Sequence, residues 1–326
     1  MAFSCIFITS CGMKQDGSVI SCKGMDADPV FLHFISDDIG YAFGNIGEMY
    51  SQSDAIIYQT IDGGKNWKKI NSIADHLFTG STSLLVGNNI YCNIKSATDM
   101  ATNRIVCFSS HNNVIKTLDC EIKATGDIWE QNGKIFSNIY TDSGYSLLVS
   151  DTYLSRYSTQ KFKYRAKANG VCCDNNHVYF LTHDGQLLIQ TCNCIKRIPV
   201  CNPQCFAKIK EGELLIVANT AKNLITLYEY SADSNQIREV QTIPGYNIAK
   251  CFYVDEVQNQ YVGFVGNISG DVVKHDMIYG SINDHHWEIK KLYNAYSIAP
   301  NARTKKKVFI LSDRHTLQKM PLTEKN

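Results

Sequence analysis

The chain has 326 residues, with 32 Lys plus Arg against 31 Asp plus Glu, a balance that leaves no global field to favour nucleic acid or an anionic membrane surface. Eighteen Tyr and fourteen Phe against six Pro, with no long charged or low-complexity run, exclude a disordered chain and indicate an ordered, β-rich globule. At this length either two domains or one closed repeat architecture is expected.

The first segment, residues 1–17, bears on location. Ala2 to Thr9 is uncharged and mostly apolar and leads into Ile8-Thr9-Ser10-Cys11, the pattern of a bacterial lipobox. On that pattern Cys11 is the lipidated residue of a lipoprotein in the bacterial periplasm or outer membrane, and the polar residues to Gly17 are its tether. The alternative is a cytoplasmic protein with an ordinary N-terminus, because the segment lacks a basic region and its apolar run is short for a signal. No other stretch approaches the roughly 20 apolar residues that span a bilayer. Membrane contact is therefore expected only through a lipid on Cys11.

Next in the chain, Ser18 to Lys23 is an apolar strand with no partner nearby in sequence. From Val30 to Ile70 follow four strands: FLHFIS, a turn at Asp37-Asp38, GYAFG, a loop, AIIYQT, a second turn and WKKI. The second turn reads Thr60-x-Asp62-x-Gly64-x-x-Trp67. Two strands must reverse there over Asp-Gly-Gly, where glycine accepts φ > 0 and the Asp62 carboxylate can bond nearby backbone N–H groups. Trp67 supplies a large apolar body to pack back over the turn. Each of these roles is structural. Four strands in about 40 residues is the size of one propeller blade.

The second strand of this unit recurs. It is short, apolar and preceded by a polar turn: Tyr41-Ala42-Phe43, Ile90-Tyr91-Cys92, Ile135-Phe136-Ser137, Val178-Tyr179-Phe180, Leu214-Leu215-Ile216, Tyr261-Val262-Gly263 and Val308-Phe309-Ile310, starting every 36 to 49 residues. Eroded counterparts of the Thr60–Trp67 turn fall at Ser109 to Asn113, Ser150-Asp151, Thr191 to Asn193, Ser231 to Asn235 and Ser281 to Trp287. The pattern predicts an all-β fold: one seven-bladed β-propeller of four-stranded antiparallel blades over 18–326, with six blades as the alternative. The blades are expected at about 30–72, 78–120, 121–160, 165–200, 204–244, 247–292 and 294–322. The last has only three strands of its own, so Ser18 to Lys23 (within 18–25) is expected to complete it and close the ring.

The turn at Thr60, Asp62, Gly64 and Trp67 has the spacing of an Asp-box, or BNR repeat. With FISDDIGYAFGN before it, this blade resembles the repeat unit of propellers related to the photosystem II assembly and stability factor; the box also occurs in sialidases and sortilin-type receptors. Outside Phe31 to Trp67 the resemblance survives only as strand rhythm. It implies a diverged, non-photosynthetic scaffold that docks other proteins, without catalytic residues. A sialidase-like or other carbohydrate-active propeller is the alternative, and it would need an arginine triad to clamp a substrate carboxylate. The chain has seven Arg, at 104, 156, 165, 197, 238, 303 and 314, without recurrent placement. Arg197-Ile198-Pro199 resembles a sialidase motif but follows the fourth blade's turn and sits in a predicted outer strand.

Thirteen Cys do not form a metal pattern: Cys192-x-Cys194 and Cys201-x-x-x-Cys205 are not the usual pairs, and Cys92, Cys107, Cys172, Cys173 and Cys251 lie in apolar strands. A disulfide such as Cys201–Cys205 is open to an exported chain. His285-His286 is poorly arranged as a metal site, and Arg303 to Lys307 is a charged turn. No cofactor and no metal are expected. The longest loops, Asn45 to Asp54, Lys95 to Asn103, Gln160 to Asn169 and Gly266 to Val272, belong to one face, opposite the Asp-box. A protein partner is expected there, contacting Met49, Tyr50, Met100, Phe162, Tyr164 and Arg165, because Tyr and Arg are enriched at interface hot spots and loops on a rigid scaffold carry recognition. Lys161, Lys163 and Lys167 flank that basic and aromatic run. The propeller is expected to be monomeric by itself, as an assembly scaffold or a specific antagonist such as an immunity protein.

Overall fold

A computed structural model describes residues 18–47, 53–99, 102–118, 120, 122–141, 144–161, 168–182, 184–191, 194–255, 260–269, 272–281, 286–292, 299–303, 307–313 and 315–321. Among them every regular element is a β-strand. After β1 (Ser18–Ser21), blade 1 holds β2 (Asp28–Phe34), β3 (Gly40–Ile46), β4 (Asp54–Thr60) and β5 (Lys68–Ile73). Blade 2 holds β6 (His76–Val86), β7 (Asn89–Ser96), β8 (Asn103–Ser109) and β9 (Val114–Thr117). Blade 3 holds β10 (Ala124–Gln131), β11 (Lys134–Thr141), β12 (Gly144–Asp151) and β13 (Tyr157–Lys161). Blade 4 holds β14 (Ala168–Cys173), β15 (Val178–Thr182), β16 (Gln186–Gln190) and β17 (Ile195–Pro199). Blade 5 holds β18 (Pro203–Lys210), β19 (Glu213–Ala221), β20 (Leu224–Ser231) and β21 (Gln236–Pro244). Blade 6 holds β22 (Ile248–Asp255), β23 (Gln260–Ser269), β24 (Val272–Ser281) and β25 (His286–Lys290). Blade 7 holds β26 (Ala299–Arg303), β27 (Lys307–Asp313), β28 (Thr316–Pro321) and, fourth, β1.

Each sheet is antiparallel and four-stranded, and together they form a seven-bladed β-propeller. The first strands are innermost, since β2 meets β6 and β26, β6 meets β10, and the contacts continue through β14, β18 and β22. The seven recurrent apolar segments are the seven second strands, β3, β7, β11, β15, β19, β23 and β27. Strand β1 pairs with β28 from Ser18↔Lys319 to Ser21↔Thr316 and so closes the ring with the other end of the chain. The strands reach into the predicted loops. Asn45, Lys95 and Gln160 are all paired, because the ladder continues past the point where the apolar signal stops.

One feature of every blade has no counterpart in the apolar pattern. All seven innermost strands shift register against their second strands, as at Pro29/Phe31 and Thr125/Ile128. A bulge bends a strand and strengthens its twist, which a strand lining a narrow central channel requires. Near these shifts, asparagines from the second strands reach the next blade. Asn45 donates to the Phe78 carbonyl at 3.0 Å and accepts from the Phe78 N–H at 2.8 Å. Asn93 donates to the Gly126 carbonyl at 3.0 Å, and Asn219 to the Asn247 carbonyl at 2.7 Å. Gly126 lies inside the register shift of β10, so Asn93 satisfies backbone that the bulge takes out of the ladder. At the other end of the second strand, the hydroxyls of Tyr41 and Tyr91 donate to the carbonyls of Ser110 and Thr152 in the following blade.

Burial shifts the pKa values of His33 and Asp127, both on innermost strands. His33 of β2 is 3 Å or less from Ser83 Oγ of blade 2, at 2.9 Å, and burial lowers its pKa to about 4. The neutral ring is favoured in the fold, so this contribution is complete above about 6.5 and is lost as pH falls towards 4. Asp127 of β10 accepts from Val171 N–H at 3.0 Å, and burial raises its pKa to about 6. Its sign is opposite: the protonated acid is favoured, so acidification through the same range relieves a cost. The two effects offset in the whole protein and separate in variants. Relative to His33→Gln, the wild type is expected to lose about 3 kcal/mol between pH 6.5 and pH 4. Urea unfolding of both proteins across that range checks this; parallel curves would refute it.

Candidate interaction surfaces

The Thr60–Trp67 turn is held by its own side chains. Thr60 Oγ1 accepts from Gly64 N–H at 2.9 Å and donates to Asp62 Oδ1 at 2.9 Å. Asp62 Oδ1 accepts from the backbone N–H groups of Lys65 and Asn66 at 3.1 and 3.0 Å, and Asp62 Oδ2 from the Asn66 amide at 2.7 Å. Chiefly through the Asn66 backbone and side-chain bonds, its pKa falls to about 2. Trp67 folds back, donating from Nε1 to the Gly64 carbonyl at 2.9 Å.

The turn is placed at the seam where blade 7 meets blade 1. Lys23 N–H donates to the Lys65 carbonyl at 2.9 Å, and Trp67 N–H to the Lys23 carbonyl at 2.8 Å. Trp67 packs in one cluster with Cys22, Met25, Phe34, Phe309 and Leu317. Phe34 of β2 stacks on Phe309 of β27 with centroids 3.8 Å apart. Gly64 has φ +91°, which glycine adopts without strain, and its lack of a side chain lets Leu317 Cδ2 approach closely. Tyr58 completes the joint: its hydroxyl donates to Asp26 and accepts from Ala27 N–H at 3.1 Å. Burial and then the Asp26 carboxylate push that hydroxyl up to about 12, so it remains a donor.

Two ends of the ring are distinguished by backbone bonds. First-to-second and third-to-fourth turns bond each other, as in Gly63 N–H to Asp38 O and Ser110 N–H to Asn88 O, both 2.8 Å. Inter-blade connections bond second-to-third loops, as in Val200 N–H to Gly185 O and Gly245 N–H to Asn223 O, also 2.8 Å. Met49, Tyr50, Met100, Phe162, Tyr164 and Arg165 belong in sequence to segments of the second end, and all six, like Cys11, lie outside the described residues. Of the flanking lysines, Lys161 is described; it ends β13 rather than starting a loop.

At the first end, amides link three consecutive blades. Gln131 and Asn132 donate to Asn175 Oδ1 at 3.1 and 3.0 Å, and Asn175 and Asn176 donate to the Glu211 carboxylate at 2.9 and 3.1 Å. Asp174 beneath them accepts from Tyr179 OH at 2.7 Å and from the backbone of Asn176, His177 and Gly212. Burial acts against its charge, but these bonds outweigh it and hold the carboxyl below the usual range. At the other end, a cleft of about 330 Å³ between blades 5 and 6 is lined by Gly245, Tyr246, Asn267, Asp276 and Lys291. Asp276 Oδ2 accepts from Tyr246 OH and from Lys291 Nζ, both at 2.7 Å, and Asp276 Oδ1 from Leu292 N–H at 3.3 Å. That carboxylate is spent on tying two inter-blade connections together.

The described arginines do not converge. Arg104 lies on a third strand, Arg156 in a turn, Arg197 and Arg238 on outer strands of different blades, and only Arg303 on an innermost strand. Arg238 is engaged with Glu229 at 2.7 Å. Among the described residues no group of three or more His, Cys, Asp and Glu is arranged to hold a metal ion. The asparagine and tyrosine links between blades were missed in the apolar reading, yet Asn recurs late in five second strands, at 45, 93, 138, 219 and 267. That polar residue in the later part of an otherwise apolar strand is the signal that would have found them.

The fold defines a seven-bladed propeller spanning the described chain. No family model matches the sequence, and no curated protein matches it. Solved structures do resemble it. A structure titled YCF48 bound to D1 peptide aligns with TM-score 0.59 at 13% identity, over 95% of this chain and 96% of that one. A chain of a mitotic checkpoint complex aligns with TM-score 0.61 at 8% identity, over 99% and 100%. Sqt1 of Saccharomyces cerevisiae aligns with TM-score 0.58 at 10% identity, over 95% and 100%. At identities this low the structural overlap shows a shared fold alone.

Proposed function

We propose that this protein is a non-enzymatic propeller that binds another protein, as an assembly scaffold or as a specific antagonist of the immunity type. The observation that carries this is the whole-chain likeness to propellers solved with a peptide or within a complex, YCF48 with D1 peptide and the checkpoint chain. It is supported by where the polar chemistry goes: Asp174, Asp276 and the second-strand asparagines are committed to joining blades. The Thr60–Trp67 turn, in this proposal, is an Asp-box kept by a diverged, non-photosynthetic relative of the assembly-factor propellers. Met49, Tyr50, Met100, Phe162, Tyr164 and Arg165 are its proposed contact residues.

Two locations go with this role. A lipid on Cys11 would put the protein in the bacterial envelope. The cytoplasm is favoured by the thiols of Cys92, Cys107, Cys173, Cys194 and Cys201, which stand outside any disulfide, since an oxidising compartment favours pairing. Cross-linked capture on the tagged full chain, run separately from envelope and cytosolic fractions of its native cells, addresses both. The expected result is one stoichiometric protein partner in one fraction, weakened about tenfold or more by combined Tyr50→Ala, Phe162→Ala and Tyr164→Ala. Capture undiminished by those changes would refute the loop contacts, and absence of any saturable partner would refute the role.

A further inference from the structure

We propose that the outer strand of blade 3, β13, is a docking edge for an extended, acidic segment of another protein; this rests on the partner-binding role above. All five residues of β13, Tyr157 to Lys161, are exposed, whereas β5, β9, β17 and β21 each hold at least one partly buried residue. Among the described residues the strand pairs with β12 alone, from Ser150↔Tyr157 to Ser146↔Lys161. Its other edge offers backbone N–H and C=O groups to an added strand, and it contains none of the proline that blunts such edges.

The chemistry beside the edge selects the occupant. Tyr157, Thr159 and Lys161 alternate onto one face of β13, so an added strand would meet an aromatic ring and an ammonium four residues apart on that face. Tyr153, in the turn that leads into β13, is 63% exposed, and the Lys116 ammonium of blade 2 lies 5.4 Å from its ring centroid. Arg156 and Lys116 are exposed, while Asp151, the carboxylate of this turn, faces its own backbone, accepting from Tyr153 and Ser155 N–H at 3.0 and 2.9 Å. The surface thus offers cations and aromatic rings, with the carboxylate of its own turn engaged by backbone. Charge complementarity calls for Asp or Glu alternating with apolar or aromatic residues, in a segment free to extend.

The test is selection of short random peptides displayed against the immobilised full chain, with counter-selection on the double variant Tyr157→Ser, Lys161→Glu. Both sites are exposed, so the variant is expected to keep the wild-type unfolding curve. The expected result is enrichment of peptides that alternate Asp or Glu with apolar residues, bind the variant about tenfold more weakly, and slow amide exchange across 157–161. No enrichment, enrichment without acidic bias, or equal binding to the variant would overturn the proposal. A partner captured in the fractionation experiment that binds this variant as well as wild type would remove the edge from the account and leave the partner-binding role intact.

Discussion

Replacing Trp67 with alanine is expected to lower stability by about 3–5 kcal/mol, a large part of what a folded domain has in reserve. The size follows from three losses at one place. The indole is 4% exposed and packs edge-on to Phe34 at 6.1 Å, so its removal opens a cavity in the cluster that joins blades 7 and 1. The Gly64 carbonyl loses its donor, and the turn that carries Lys65 and Asn66 against Lys23 loses its anchor. Ile61 at the tip of the same turn is 73% exposed, and Ile61→Ala is expected to stay within about 0.5 kcal/mol of wild type. Urea unfolding of the two variants separates the hypotheses. Similar, small losses in both would mean that the turn is decoration and the seam is held elsewhere.

Deleting residues 1–21 is expected to have a still larger effect, on the order of 5 kcal/mol, with loss of a single cooperative transition. Strand β1 covers the edge of β28 through four paired residues, and Ile20 packs on the seam cluster. Without it, blade 7 is left three-stranded with an open edge, which invites association between molecules. Light scattering after gel filtration should therefore show oligomers or aggregates. A synthetic peptide with the sequence of residues 18–25 added in trans should restore the monomer and the transition. A deletion that stays monomeric and unfolds as wild type would show that β1 does not close the ring.

These two predictions concern the same joint, which explains why one turn of its kind is complete and the others are eroded. Blades 2 to 6 each join the following blade by continuous chain, with links such as Tyr91 to Thr152 and Asn93 to Gly126 from blade 2 to blade 3. Between blades 7 and 1 the fourth strand comes from the opposite end of the chain. The Thr60–Trp67 turn supplies extra bonds there, to Lys23 and, by packing, to Leu317. The other turns need only a reversal, which Asn113 and Asn235 provide with φ of 58° and 54°.

The sequence by itself determined the blade count, the second strands and the exchange of Ser18 to Ser21 into the last blade. Those features rest on local signals, apolar runs of strand length and turns rich in Asn, Asp and Gly, which act over a few residues and repeat. The candidate site was less legible. Tyr153, Lys116 and β13 come together only because blades 2 and 3 pack side by side, 37 residues apart in sequence at Lys116 and Tyr153. Nothing in YSTQK marks it as the outer strand exposed on both faces. The same holds for the register shifts of the innermost strands and for the seam around Trp67: a bulge answers the curvature of a closed channel, and the seam exists only once the two ends of the chain have met. Local pattern sets what each blade is, and closure of the ring, a constraint on all seven at once, decides which of their edges and turns are covered and which remain open.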